Sequence, residues 1–230
     1  MGSFDLCIRT ENHKETIDIA RRLGFSGVGL IVPYSTNYMR EISDLKESIK
    51  KIKPVIDVAF GVEINPAGSG KMKDVRKIAK TVRKDIEIVM VRGGDANADR
   101  LALETPEVDI ITHHKDMRIN QVLAKLSAKN NVSVGFLFSD LLLSYKRTRI
   151  SLFSDMIRDA RVLKKYKAPF ILSSGSLSEW DLRSPSDMLA FGRLLGYQDN
   201  MIKKSLSDGI LKENRKRLGK KWVMPGVEIE

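Results

Sequence analysis

The chain has 230 residues, 42% hydrophobic and 30% charged, a length and balance that fit one large globular domain. No run approaches the roughly 18 apolar residues of a membrane span, and the start, MGSFDLCIRTENHKE, lacks the pattern of a secretory signal. A cytoplasmic protein is expected. The single cysteine, Cys7, excludes a disulfide framework or a CxxC site and reads as a small buried hydrophobe. Forty Lys and Arg against 29 Asp and Glu give a net charge of +11, which favours a polyanionic partner.

In chain order, FDLCI (4–8) reads as a strand, followed by a helix in which Asn12 and Glu15 have capping-box spacing and Gly24 is a stop. VGLIV (28–32) leads to a helix around 41–53, and VIDVAFGVEI (55–64) to a helix near 72–84. In the latter, Val75, Ile78, Ala79 and Val82 form one apolar stripe with Lys and Arg outside it. IEIVMV (86–91), VDIIT (108–112), VSVGFLF (132–138) and PFIL (169–172) are further buried strands. Between them the clearest helix places Ile119, Val122, Leu123 and Leu126 on one face. Ser184, Pro185 and Asp187 signal a helix start, with the helix running to Gly196. Two more helices are expected near 199–206 and 208–219. The segment 203–221 carries eight basic residues against two acidic ones, and its charge alone fits either a solvated face or an RNA contact.

Apolar strands alternating with one-sided helices imply a parallel sheet covered by helices. Seven consecutive units favour a closed or nearly closed (β/α) barrel over an open doubly wound sheet. The expected organisation is one α/β barrel domain over 1–230, with a basic helical segment at 199–221.

In such a barrel, function gathers at the carboxyl ends of the strands. Those ends carry Arg9 and Asn12; Tyr34; Asn65, Gly68 and Gly70; Arg92 to Asp95; His113 to Asp116; Ser139 and Asp140; and Ser173 to Ser176. The pair in VDIITHHKD raises the question of a metal. A catalytic zinc needs about three protein ligands, yet the chain has only His13, His113 and His114. Neighbouring strand residues point to opposite faces, so His113 and His114 are not expected to share an ion. His113 reads as structural. A carboxylate set of Asp5, Glu63, Asp95, Asp116 and Asp140 is the remaining metal option. No GxSxG elbow is present. The run Ser173, Ser174, Gly175, Ser176 offers small residues and backbone amides that suit phosphate, or a plain capped turn. Cationic groups are the fuller set: Arg92, Arg100, His114, Lys115, Arg118, Arg147, Arg149 and Arg183 are the candidate RNA contacts. Tyr34, Tyr145 and Trp180 are candidate stacking partners for unpaired bases, or loop-packing residues.

FILSSGSLSEWDLRSPSDMLAFGRLLG, together with FDLCIR, GFSGVGLIV, VEINP, VMVRGGD, NADRLALETPEVDIIT and PGVEIE in that order, resembles the archaeal ribonuclease P protein component 3 family. The eukaryotic counterparts are the thirty-kilodalton RNase P and MRP subunits. The resemblance spans nearly the whole chain and implies an α/β barrel similar to the polymerase and histidinol phosphatase barrels. Those phosphoesterases carry a histidine-x-histidine pair after the first strand, where this chain has CIRTENH. The resemblance implies a subunit of the ribonucleoprotein that removes the 5′ leader from precursor tRNA. Catalysis would come from the RNA, with Mg2+ held at the RNA and no cofactor on this chain. A small RNA-binding partner protein is implied as well. A metal-dependent phosphoesterase on the same barrel, and a barrel enzyme binding a small phosphate compound through SSGS, are the alternatives.

Overall fold

The computed structural model describes residues 2–66, 75–219, 222–224 and 227–228. Gly68, Gly70, Lys220 and Lys221 lie outside the described residues, as does the start of the helix expected near 72. Seven strands form one sheet in sequential order: β1 (Phe4–Ile8), β2 (Gly27–Pro33), β3 (Asp57–Ile64), β4 (Ile88–Arg92), β5 (Ile110–Thr112), β6 (Ser133–Leu137) and β7 (Phe170–Ser173). All six neighbouring pairs are parallel. The helices between them are α1 (His13–Arg22), α2 (Tyr38–Ile52), α3 (Val75–Val82), α4 (Ala96–Leu103) and α5 (Gln121–Asn130). Then come α6 (Phe138–Leu142) and α7 (Lys146–Lys165) before β7, and α8 (Pro185–Leu194), α9 (Asp199–Ser205) and α10 (Gly209–Leu218) after it. Trp222–Met224 and Val227–Glu228 form a separate antiparallel pair, β8 and β9.

Strands covered on both faces should be apolar throughout, and β1 and β6 are buried at every position. One face fills the barrel. Leu6, Ile31, Ala59, Ile88, Met90, Ile110, Leu137 and Ile171 form this inner cluster, each large side chain contributing about 1.5–3 kcal/mol on full burial. Gly61 admits that packing, because a Cβ there would stand 2.4 Å from the Ile31 side chain and 2.8 Å from Ile88. The other face meets the helices. Val62, Val89, Val91, Ile111 and Val134 pack there with Val75, Ala79, Val82, Leu123, Met156 and Phe191.

The seam between β1 and β7 has no strand ladder. Side chains join the two edges instead. Ser173 Oγ accepts the Cys7 amide at 3.1 Å and donates to the Asp5 carboxylate, which also accepts the Ser174 amide at 3.2 Å. The Arg9 amide donates to Ser176 O at 2.8 Å, completing the closure toward the carboxyl end. Buried strand-edge amides need acceptors, and Asp5 and Ser173 supply them where a ladder is missing. Burial pushes the Asp5 carboxyl above its ordinary range, while the hydrogen bonds from Ser173 and Ser174 pull it back.

The other end of the barrel is covered by α10. Leu211 inserts into the inner cluster, and Asn214 Nδ2 donates to Glu87 O and Asp109 Oδ1, both at 2.8 Å. Arg215 bridges Asp57 at 2.6 Å and Glu87 at 2.5 Å. This placement gives the basic segment a structural task that its charge count did not show. Two local expectations are also corrected. The Asn12 side chain makes no capping bond to the helix and instead donates to Glu15 Oε2 at 2.7 Å. Val122 is 54% exposed rather than on the packed face, which belongs to Leu123, Ala124 and Ser127. The capping box of Ser184 and Asp187 forms as expected.

Candidate nucleic-acid interface

The strand-end face is built by the loops after β1 through β7. After β1, Arg9 turns inward and pairs with Glu63 of β3 at 3.3 Å, and its second terminal nitrogen reaches Gly175 O at 3.4 Å. An acid and a base are thereby committed to each other at the barrel mouth. Tyr34 packs on Tyr38 at a ring separation of 5.4 Å, which identifies it as a packing residue.

After β4, Arg92 is exposed and the chain turns through Gly94, whose φ of +119° suits glycine. Asp95 then caps α4 by accepting the Asn97 and Ala98 amides. Asp99 is buried behind that turn and accepts the Gly94 amide at 2.9 Å. Burial, with Asp95 nearby, pushes its carboxyl up to about 6.

Just past the end of β5 the two histidines separate. His113 is fully buried, with Nε2 3.0 Å from Asp159 of α7 and its ring 5.3 Å from Phe136. Asp159 also accepts the Ile119 amide, so this is a strand-to-helix tie. His114 faces the mouth, with Nδ1 3.2 Å from Asp140 and Nε2 3.0 Å from Thr112 Oγ1. Lys115 beside it is exposed and forms no ion pair within the described residues.

The remaining expected contacts fall into two groups. Arg147 and Arg149 sit in the first turn of α7, and Arg183 lies between β7 and α8, so all three border the mouth. Arg149 donates to Ser144 O at 2.7 Å and lies over the Tyr145 ring at 5.8 Å. Arg183 donates to Trp180 O at 3.1 Å and Leu182 O at 2.7 Å and lies over Phe138 at 5.6 Å. Arg118 is tied to Asp155. Arg100 is exposed on α4 and paired with Glu104 at 2.9 Å.

SSGS does not form the phosphate cradle expected as one reading. Ser173, Ser174 and Ser176 are fully buried, and the Ser174, Gly175 and Ser176 amides are occupied by Asp5, Ser173 Oγ and Ser174 Oγ. The segment serves the seam. The carboxylate set is likewise dispersed: Asp5 is in the seam, Glu63 pairs with Arg9, Asp95 caps α4 and Asp140 faces His114. Among the described residues, no three His, Cys, Asp or Glu side chains are grouped to hold a metal ion. One cationic surface escaped the sequence reading: Arg76, Lys77, Lys80 and Lys84 line a shallow groove on α3. Its signal was the basic outer face of that helix, which charge alone does not separate from ordinary solvation.

Fold and face together define an α/β barrel whose mouth presents arginine and lysine around acids already paired with Arg9 and His114. The chain belongs to the RNase P subunit p30 family, whose model matches residues 2–218. Ribonuclease P protein component 3 of Methanosarcina mazei is 33% identical over 98% of this chain and 95% of its own length. The same-named protein of Methanosarcina acetivorans is 30% identical, again over 98% of this chain and 95% of its own length. A chain in a cryo-EM structure of archaeal ribonuclease P with mature tRNA superposes with a TM-score of 0.81 at 24% identity, covering 98% of this chain and 97% of that one. A Xaa-Pro dipeptidase superposes with a TM-score of 0.63 at 13% identity, covering 100% of this chain and 77% of that one. At these identities both superpositions speak to the barrel fold. No described helix is long and apolar enough to cross a membrane.

Proposed function

We propose that this chain is the RNA-ordering protein subunit of ribonuclease P, the complex that removes the 5′ leader from precursor tRNA. RNA and its bound Mg2+ carry out the cleavage, and this chain binds no catalytic cofactor. The carrying observation is family membership over residues 2–218, supported by a barrel mouth where Arg9 and Glu63 neutralise each other and no metal-ligand group is assembled among the described residues. Those features disfavour the metal-dependent phosphoesterase alternative.

Arg92, Lys115, Arg147, Arg149 and Arg183 around the mouth are the RNA contacts we assign, with Arg118, His114 and Arg100 in supporting positions. Side chains of this kind neutralise phosphates and release counterions, so affinity should fall steeply with salt. Recognition would follow RNA shape rather than base sequence. A small RNA-binding protein is the expected partner, and the cytoplasm the expected compartment. Affinity purification of the chain from its cells tests the reading: a structured RNA and small basic proteins should copurify, and recovery of the chain alone at low salt would contradict it.

A further inference from the structure

Exposed apolar side chains are not spread evenly over the barrel. Of the nine large hydrophobic residues exposed among the described residues, Leu143, Tyr145, Ile150, Leu177 and Trp180 fall in or beside just two connections, β6–α7 and β7–α8. Those connections are neighbours. The Ser139 amide donates to Ser174 O at 2.8 Å, and Arg183 of the second connection lies over Phe138 of the first. Tyr145 is 73% exposed and Trp180 74% exposed. Both therefore present ring surface to solvent, in contrast to Tyr34, which packs on Tyr38.

An arginine fixes each of the two turns that carry these rings. Arg149 fixes the turn before α7 through the Ser144 and Leu142 carbonyls while lying beside the Tyr145 ring. Arg183 fixes the Trp180 carbonyl. Of the acids in the two connections, Asp181 is occupied in capping the turn at Ser178 and Asp140 faces His114, which leaves Glu179 against Lys146, Arg147, Arg149 and Arg183. A flat aromatic surface inside a positive field suits a ligand that is both planar and anionic. Duplex RNA hides its base faces, whereas an unpaired strand offers them together with its phosphates.

We infer that the β6–α7 and β7–α8 connections form a stacking platform for unpaired RNA nucleotides, with Trp180 and Tyr145 receiving bases and Arg147 and Arg149 holding the adjoining phosphates. The inference rests on the RNA-binding reading above and adds the class of RNA that this part of the face takes.

The test titrates the full chain with a twelve-nucleotide unstructured RNA and with a duplex of equal length, following anisotropy and tryptophan fluorescence. Single-stranded RNA should bind more tightly and quench Trp180, a signal identified by its loss in Trp180→Phe. Trp180→Ala and Tyr145→Ala should each weaken single-strand binding by about tenfold, the scale of a lost base stack, and leave duplex binding unchanged. Trp180→Phe should retain most of the affinity. Both rings are exposed, so far-ultraviolet circular dichroism should be unchanged in all variants. Affinities within twofold of wild type, or equal losses on single strand and duplex, would overturn the platform while leaving the RNA-binding reading intact. Failure of the unaltered chain to bind any RNA at low salt would overturn that reading itself. Variants that bind RNA normally but no longer copurify with a protein partner would show the patch to be a protein contact and overturn the platform.

Discussion

Ser173→Ala is the sharpest probe of how the barrel is closed. The substitution removes one buried oxygen and changes little else in shape. That oxygen donates to Asp5, accepts the Cys7 amide at 3.1 Å, and accepts the Gly175 amide at 3.3 Å. Ser173 and Asp5 are both fully buried, so water does not replace the lost partner. A hydrogen bond to a charged group contributes about 1.5–3 kcal/mol, and a buried amide left without an acceptor costs about 1–3 kcal/mol. Allowing for local relaxation, the expected loss is about 3–5 kcal/mol. That is a large share of the ~5–15 kcal/mol typical of folded domains, and in a chain of this length it corresponds to roughly a 10 °C fall in Tm. Urea unfolding at pH 7.5, with Asp5→Asn and the double variant, completes a cycle whose coupling should exceed about 1 kcal/mol for directly bonded groups. A destabilisation below about 1 kcal/mol, or additive effects of the two substitutions, would refute the side-chain seam.

Leu211→Ala should destabilise the fold by about 2–5 kcal/mol, because Leu211 is buried within the inner cluster at the amino end of the barrel; an unchanged thermal midpoint would mean that α10 is not part of the closure. Asp99 tests the electrostatics of the mouth. Its carboxyl rises from an ordinary 3.8 to about 6 on folding, so its contribution to stability is fully present below pH 3.8 and is lost as pH rises through 6. Asp99→Asn keeps an acceptor for the Gly94 amide and should remove that share of the slope; urea midpoints at pH 4.5 and 7.5 that differ as much as in wild type would contradict it. Arg92→Glu, Lys115→Glu and Arg183→Glu should each weaken RNA binding and raise the Mg2+ requirement of the reconstituted complex. Neutral replacements at the same positions should each lower the salt slope of binding by about 1. Unchanged binding and Mg2+ dependence in all three charge reversals would remove the mouth from the RNA interface.

The barrel was legible because its strands are short apolar runs such as FDLCI and VSVGF, each followed by a helix with a one-sided stripe. Periodicity also separated His113 from His114, and the structure places them against Asp159 and Asp140 respectively. What escaped were tasks assigned by partners far along the chain. SSGS resembled a phosphate turn because local composition carries no trace of Asp5, 168 residues from Ser173. The basic run after 203 was open between RNA and solvent, yet Asn214 and Arg215 are latches whose acids lie 105 and 158 residues away at Asp109 and Asp57. Val122 fitted a helical stripe by spacing, but the helix begins at Gln121 and turns that position outward. Exposure of Tyr145 and Trp180 was equally invisible to spacing, since an aromatic in a loop reads the same whether packed or free.

On the function proposed above, this barrel assists an RNA catalyst rather than cutting RNA itself. The most direct measurement is cleavage of a 5′-leader precursor tRNA by purified components in Mg2+, omitting one at a time. Cleavage should require the RNA subunit and rise when this chain is added with its partner protein, and this chain alone should yield no product. Leader removal by the isolated chain, free of RNA, would contradict the account.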